Sequence, residues 1–101
     1  QEFVEKVTSI VMENLASTDF NIDGVCREMA MSRTLFYGRL KKLTSKSPQD
    51  FIRIIRLERA ASLIKEGKSV LDVSVSTGFV NVKHFSTTFK KHFGVSPSKY
   101  K

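Results

Sequence analysis

From residue 72 to residue 100 the chain runs DVSVSTGFVNVKHFSTTFKKHFGVSPSKY. The stretch predicts a short helix over 70–77 that ends at Gly78, because glycine is favoured just after a helix. A second helix is predicted over 82–93, with Asn81 as its N-cap. Its apolar positions recur at helical spacing and are Phe85, Phe89 and Phe93. Two short helices joined by a tight turn form the helix-turn-helix pattern.

The same pattern occurs once earlier in the chain. Val25–Ala30 aligns with Val73–Gly78, and each segment ends in a small residue. The second turn has one extra residue, and the matching positions after it are Ser32 with Asn81, Phe36 with Phe85, Leu40-Lys41-Lys42 with Phe89-Lys90-Lys91, and Ser47-Pro48-x-x-Phe51 with Ser96-Pro97-x-x-Tyr100. A single match arises by chance in many helical bundles, whereas two copies in register indicate a repeat of two helix-turn-helix units. A helical bundle with duplicated parts is the alternative.

Helical spacing of apolar residues continues through the rest of the chain. It predicts helices at 2–16, 22–29, 33–43 and 48–65, and a last short helix that begins at Ser96-Pro97. The expected N-caps are Ser32, Ser47, Ser69 and Asn81. The expected inward residues include Phe3, Val7, Ile10, Val11 and Leu15 in the first helix and Phe36, Leu40 and Leu43 in the third. We therefore predict an all-α fold of about seven helices, with helix-turn-helix subdomains at 1–47 and 67–101 joined by a linker helix at 48–66.

Composition limits the size and class of the protein. The chain has 101 residues and is 41% hydrophobic, which is enough to bury the core of one small domain. It has no apolar run near the ~20 residues that a membrane span needs, and its single cysteine excludes a secreted disulfide scaffold. The sequence does not begin with Met, so we expect it to be a fragment of a longer protein.

Basic residues are concentrated in the last two thirds of the chain. Residues 1–32 hold two Lys/Arg and six Asp/Glu, a net charge of −4, while residues 33–101 hold 15 and four, a net charge of +11. The formal charge of the whole chain is +7. Such an asymmetry favours a surface that binds a polyanion, although charge alone does not distinguish DNA from RNA or an acidic protein.

Over essentially its whole length, the chain resembles the DNA-binding domain of the AraC/XylS transcription regulators. The signature lies in the second unit, from Asp72 to Tyr100. The stretches MSRTLFY (31–37) and FIRIIRLERAA (51–61) are similar to variants that end hybrid two-component regulators of Bacteroidetes-type bacteria. In such proteins a periplasmic sensor, a kinase and a receiver precede this domain, so the whole protein would be anchored in the membrane with this domain in the cytoplasm.

The resemblance implies a bilobed seven-helix fold that binds promoter DNA, with RNA polymerase as a further partner and dimerisation left to other domains. It places base-facing residues at Arg33, Thr34, Tyr37 and Gly38 in the first recognition helix and at Val82, Lys83, Ser86 and Thr87 in the second. Residues expected nearer the phosphates are Lys41, Lys42, His84, Lys90 and Lys91. Two departures weaken the first unit: Ala30 replaces the usual turn glycine, and Gly38 replaces a common arginine.

The sequence leaves alternative roles open for several side chains. Arg33 binds a guanine edge, binds a phosphate or remains solvated. Tyr37 contacts the sugar-phosphate backbone or packs partly buried, and Val82 contacts a thymine methyl or packs at the cap. Lys83 and Thr87 lie one turn apart on the face opposite the Phe stripe, which favours contact with DNA.

Three further residues have simpler expectations. Arg56 lies beside the apolar stripes of the linker helix, and we expect it to make structural hydrogen bonds between the two lobes. Thr34 contacts a thymine methyl or lies free on the surface. Ser86 is small enough to let its helix approach DNA closely.

Sequence-specific binding of double-stranded DNA is the function that these patterns favour. An enzyme would need Cys26 as nucleophile and a histidine as base, yet Cys26 lies on the apolar side of its helix, where burial is expected. A basic architectural or protein-interaction domain would bind without sequence preference. His84 and His92 have no metal ligand at suitable spacing, so no metal, cofactor or small-molecule substrate is expected.

The length of the linker helix suits two recognition helices on one DNA molecule. Successive major-groove faces on one side of B-DNA lie about 34 Å apart. A helix over 49–65 is roughly 25 Å long at ~1.5 Å per residue. With the width of the flanking subdomains added, we predict that the two recognition helices enter adjacent major-groove segments.

Overall fold

The computed structural model describes residues 1–17 and 19–100, which form six α-helices and one 3₁₀ turn. The helices are α1 (Glu2–Glu13), α2 (Ile22–Met29), α3 (Arg33–Thr44), α4 (Pro48–Lys65), α5 (Val70–Ser76) and α6 (Val82–Phe93), and the 3₁₀ turn is Pro97–Lys99. The described ranges contain no strand. The predicted all-α fold of about seven helices is confirmed.

The chain packs as two compact units. The first unit consists of Gln1–Asn14 and Asp19–Ile55. Of the described residues, the second unit contains 15–17 and 56–100. The division falls inside α4. Each unit has its own core and is described by itself, while the subdomain limits proposed from the sequence stay a prediction.

The core of the first unit joins α1, α2 and α3. Val11, Val25 and Leu40 are fully buried, and Phe36 is 1% exposed. The ring centroids of Phe3 and Phe36 lie 5.9 Å apart, so the apolar face of α1 packs on the apolar face of α3. The helices begin where the sequence predicts, because side-chain caps satisfy their first backbone N–H groups.

The second unit is held together by aromatic rings. Phe85 and Phe89 are fully buried, with ring centroids 5.7 Å apart. Phe79 lies 4.9 Å from Phe85, and Tyr100 meets Phe89 edge-on at 5.2 Å. Leu57 of α4 belongs to the same cluster. The Ser-Pro-x-x-aromatic ending predicted from the repeat therefore places Tyr100 against the α6 core.

Arg56 ties three parts of the second unit together. Its Nη1 donates to the carbonyl oxygens of Leu15 at 2.6 Å and Thr77 at 2.7 Å. Burial lowers the pKa of its guanidinium from the usual arginine value. The predicted structural hydrogen bonds are present, but both acceptors lie in the same unit as Arg56 and not in the other lobe.

Two expectations about helix ends and faces are wrong. α1 ends at Glu13 and not at residue 16, because Asn14 leaves the helix and Leu15 turns into the second unit, where its carbonyl accepts from Arg56. Leu43 is 42% exposed, although its spacing placed it inward. Spacing gives the angle of a side chain around α3, but it does not show whether another element reaches far enough to cover it.

Candidate nucleic-acid interface

Both helix-turn-helix motifs close with the same hydrogen bonds; we name α2–α3 the first motif and α5–α6 the second motif. The backbone pairs, donor first, are Met31 to Cys26 and Ala30 to Arg27 in the first motif, and Phe79 to Ser74 and Gly78 to Val75 in the second. Ala30 and Gly78 both have positive φ, 56° and 83°. This is the Schellman arrangement. The predicted alignment of Val25–Ala30 with Val73–Gly78 is thus confirmed bond by bond.

The recognition helices α3 and α6 begin and turn in the same way. The side chain of Ser32 accepts from the backbone N–H three residues later at 3.2 Å, and that of Asn81 does so at 2.7 Å. The buried positions that follow are Phe36 and Leu40 in α3, and Phe85 and Phe89 in α6. Because these residues fix the inward face of each helix, the opposite faces point to solvent.

The outward face of α6 carries the predicted basic and polar side chains. The exposed members are Lys83, His84, Thr87, Lys90 and Lys91, whereas Val82 and Ser86 are half-buried. The Thr87 hydroxyl donates to the Lys83 carbonyl at 3.0 Å, so its methyl group and lone pairs remain free. His84 lies against Phe79, with ring centroids 6.3 Å apart. Lys83, Thr87 and Lys91 therefore present an amine, a hydroxyl and a second amine at one-turn spacing along this face.

The outward face of α3 is differently composed. Its exposed predicted residues are Arg33, Thr34, Gly38, Lys41 and Lys42, and Tyr37 is half-buried. Gly38 holds the position of Thr87, directly opposite the core, so the centre of this face has no side chain. A shallow groove of about 500 Å³ crosses it, lined by Ser32, Thr34, Leu35, Gly38, Arg39 and Lys42.

Leu35 is a surface residue that the sequence analysis missed. It is 57% exposed and holds the position in α3 that His84 holds in α6. The repeat alignment contains this equivalence, so the signal was present in the sequence. A leucine there offers apolar contact, of the kind that a thymine methyl makes in a major groove.

Arg33 is held by neighbouring side chains of its own unit. Its Nη1 lies 3.3 Å from Oδ1 of Asp23, and its Nη2 donates to the Tyr37 hydroxyl at 2.9 Å. The hydrogen bond with Tyr37 and the charge of Asp23 raise the pKa of Arg33. Its guanidinium therefore has two partners within the first unit, and the three roles left open for Arg33 stay predictions.

Comparison with known proteins identifies this arrangement. Residues 25–101 match the family described as a helix-turn-helix domain, a range that includes the whole second motif and its signature stretch. The chain belongs to the AraC-type helix-turn-helix family. AraC-type domains are the DNA-binding domains of transcription regulators, which agrees with the exposed basic faces of α3 and α6.

Three relatives of this AraC-type domain illustrate its range. It is 35% identical over 101 residues to Histidine kinase P4 of Formosa agariphila, covering 99% of this chain and 7% of that protein. It is 38% identical over 84 residues to the HTH-type transcriptional regulator MtrA of Neisseria gonorrhoeae, covering 82% of this chain and 28% of that protein. The crystal structure of the DNA-binding domain of AdpA, a global transcriptional factor, in complex with a target DNA is 26% identical, with a TM-score of 0.84 over 96% of this chain and 87% of that one.

Both departures from the AraC-type pattern have structural consequences. Ala30 adopts the left-handed conformation that a turn glycine would adopt more easily, with φ 56° and ψ 42°. A Cβ added at Gly38 would meet nothing within 4 Å, so the glycine is not imposed by packing. The first motif keeps the AraC-type geometry with a less favourable turn residue and a barer outward face.

The described residues hold neither a metal-binding cluster nor a membrane-spanning helix. Within 1–17 and 19–100, no cluster of His, Cys, Asp and Glu has the geometry to hold a metal ion. None of the helices in these ranges has both the length and the hydropathy needed to cross a bilayer. The Cys26 side chain is buried, as predicted.

Proposed function

We propose that this domain binds double-stranded promoter DNA sequence-specifically, with α3 and α6 in adjacent major-groove segments. The observation that carries the proposal is the repeated Schellman turn, which in each motif is followed by an N-capped helix with an exposed polar and basic face. An N-capped helix with polar and basic residues on its outward face suits the major groove. The crystal structure of the related AdpA domain in complex with a target DNA supports DNA binding by this domain.

Within this proposal α6 supplies the main base contacts. Lys83 and Thr87 occupy the centre of its outward face, one turn apart, and both are exposed. Lys90 and Lys91 lie near its C-terminal end, where contact with phosphates is expected to make affinity fall with salt. In α3, Lys41 and Lys42 take the phosphate role, and Gly38 lets the helix backbone approach the groove closely.

The test begins with selection of bound duplexes from a random pool. Lys83→Ala and Thr87→Ala are then expected to weaken binding to the selected site by about fivefold or more, since a good base contact is worth at least about 1 kcal/mol. Binding to a random duplex should change much less. Lys68→Ala, which removes an exposed lysine outside the two motifs, is the control. Equal losses on both duplexes would contradict base recognition by these residues.

We further propose that the domain acts in the cytoplasm as the output end of a larger two-component regulator, recruiting or displacing RNA polymerase. Its similarity to Histidine kinase P4 over nearly its whole length supports this context. The full protein would dimerise, where it does so, through its other domains.

We infer no catalytic role for this domain. Burial raises the pKa of the Cys26 thiol, Asp23 raises it further, and Arg33 lowers it in part. A thiol that stays protonated at neutral pH in a buried position is a poor nucleophile. This argues against the enzyme hypothesis based on Cys26.

A further inference from the structure

Asp23 is the one acidic side chain that forms an ion pair with a predicted DNA-binding residue in the described part of the chain. It lies in the first turn of α2, and its partner Arg33 is the first residue of α3. The Arg33 guanidinium also lies 5.5 Å from the ring centroid of Tyr37, whose hydroxyl accepts from it. A carboxylate and an aromatic ring therefore hold the same guanidinium, and all three residues belong to the first unit.

Stability does not explain this ion pair. The side chains of Arg33 and Asp23 are 59% and 54% exposed, and pairs of that kind contribute little to folding. Attraction to DNA does not explain it either, because a carboxylate beside the recognition helix repels phosphates and neutralises the arginine. A residue that costs affinity in this way is useful where discrimination between sequences matters more than total binding.

We infer that Asp23 is a specificity-determining residue, which orients Arg33 toward a base edge and reduces its attraction to phosphate. The inference rests on the proposed function. A guanidinium is a rigid fork of N–H donors, and donors remain for a base edge when one nitrogen lies beside Asp23 and another donates to Tyr37. A recess of about 390 Å³ lined by Arg33, Thr34 and Tyr37 gives room for a base edge beside it. Holding the long side chain in place also lowers the entropy lost on binding.

The experiment compares Asp23→Asn with Asp72→Asn. Asp72 lies in the first turn of α5, so its replacement removes the same charge from the equivalent helix of the second motif, where no ion pair involves it in the described residues. Binding is measured for the selected site, for every single-base variant of that site and for a random duplex, at several salt concentrations.

With Asp23→Asn, we expect tighter binding to the random duplex, a salt slope steeper by about one unit, and discrimination at one base pair reduced by about fivefold or more. Asp72→Asn should leave that discrimination unchanged. In an Arg33→Ala background, Asp23→Asn should no longer affect it. Arg33→Lys, which keeps the charge and loses the fork, should lose the same discrimination.

The outcomes separate this inference from the function on which it rests. A wild-type domain that binds all duplexes equally would overturn both. A selective wild type whose base preferences are the same with Asp23→Asn would overturn the role of Asp23 alone. Thermal unfolding of each variant checks that the fold is intact, and the exposed position of Asp23 favours that result.

Discussion

Ala30 is a single residue whose backbone conformation is unfavourable for its side chain. Its φ of 56° lies in the left-handed region, which costs an L-residue with a Cβ about 1 kcal/mol or more. Ala30→Gly should therefore raise the free energy of unfolding by about 1 kcal/mol, measured by urea denaturation. Ala16→Gly, at an exposed alanine without positive φ, should lower it or leave it unchanged. Equal effects of the two substitutions would contradict strain at Ala30.

The strain at Ala30 was predictable from sequence, whereas the partner of Arg33 was not. The turn glycine of the repeat and of the family marks the position where positive φ is needed, so a different residue there signals strain. The Asp23–Arg33 contact joins side chains ten positions apart on two helices. It depends on how α2 and α3 cross, and residue spacing along the chain does not contain that information.

The turn of the second motif depends on an element outside the motif. A Cβ built at Gly78 would overlap the Leu15 carbonyl oxygen and, more severely, Nη1 of Arg56. Gly78→Ala should therefore destabilise the domain by about 3 kcal/mol, the sum of left-handed strain and overpacking. Gly94 also has positive φ but open space around it, so Gly94→Ala should cost only about 1 kcal/mol.

Thermal or urea denaturation of the two glycine variants measures this difference. If Gly78→Ala and Gly94→Ala destabilise the protein equally, Arg56 does not enforce the glycine. Arg56→Met should cost less stability in the Gly78→Ala background than in the wild type, because it removes one of the groups that the Cβ would overlap.

Helix boundaries show what local sequence can and cannot fix. Ser32, Ser69 and Asn81 cap helices that begin where predicted, because capping is a local bond to an N–H two or three residues later. α1 ends early because Leu15 is drawn to Arg56, a partner 41 positions away in sequence. A tertiary contact therefore determines where α1 ends, and the apolar spacing of the sequence placed that end three residues too late.

At the scale of the whole chain, charge and connectivity are the observations that bear on the proposal that both motifs bind one DNA molecule. The basic excess of the chain begins at residue 33, the start of α3, and continues through α6. α4 runs without interruption for 18 residues from the first unit into the second, about 27 Å at ~1.5 Å per residue. The proposal that α3 and α6 enter adjacent groove segments requires a fixed spacing between the motifs, which a flexible linker would not give.

A fixed spacing between the two motifs would be visible in the spacing of the DNA site. The selected operator should contain two short blocks about one helical turn apart. Inserting five base pairs between them turns one block to the opposite side of the duplex and should lower affinity about tenfold or more. Inserting a full helical turn returns both blocks to the same side of the duplex but lengthens the distance between them. It should therefore lower affinity as much as the five-base-pair insertion. Affinity that ignores both insertions would mean that one motif alone contacts bases, and recovery at the full turn would mean that the connection through α4 can stretch.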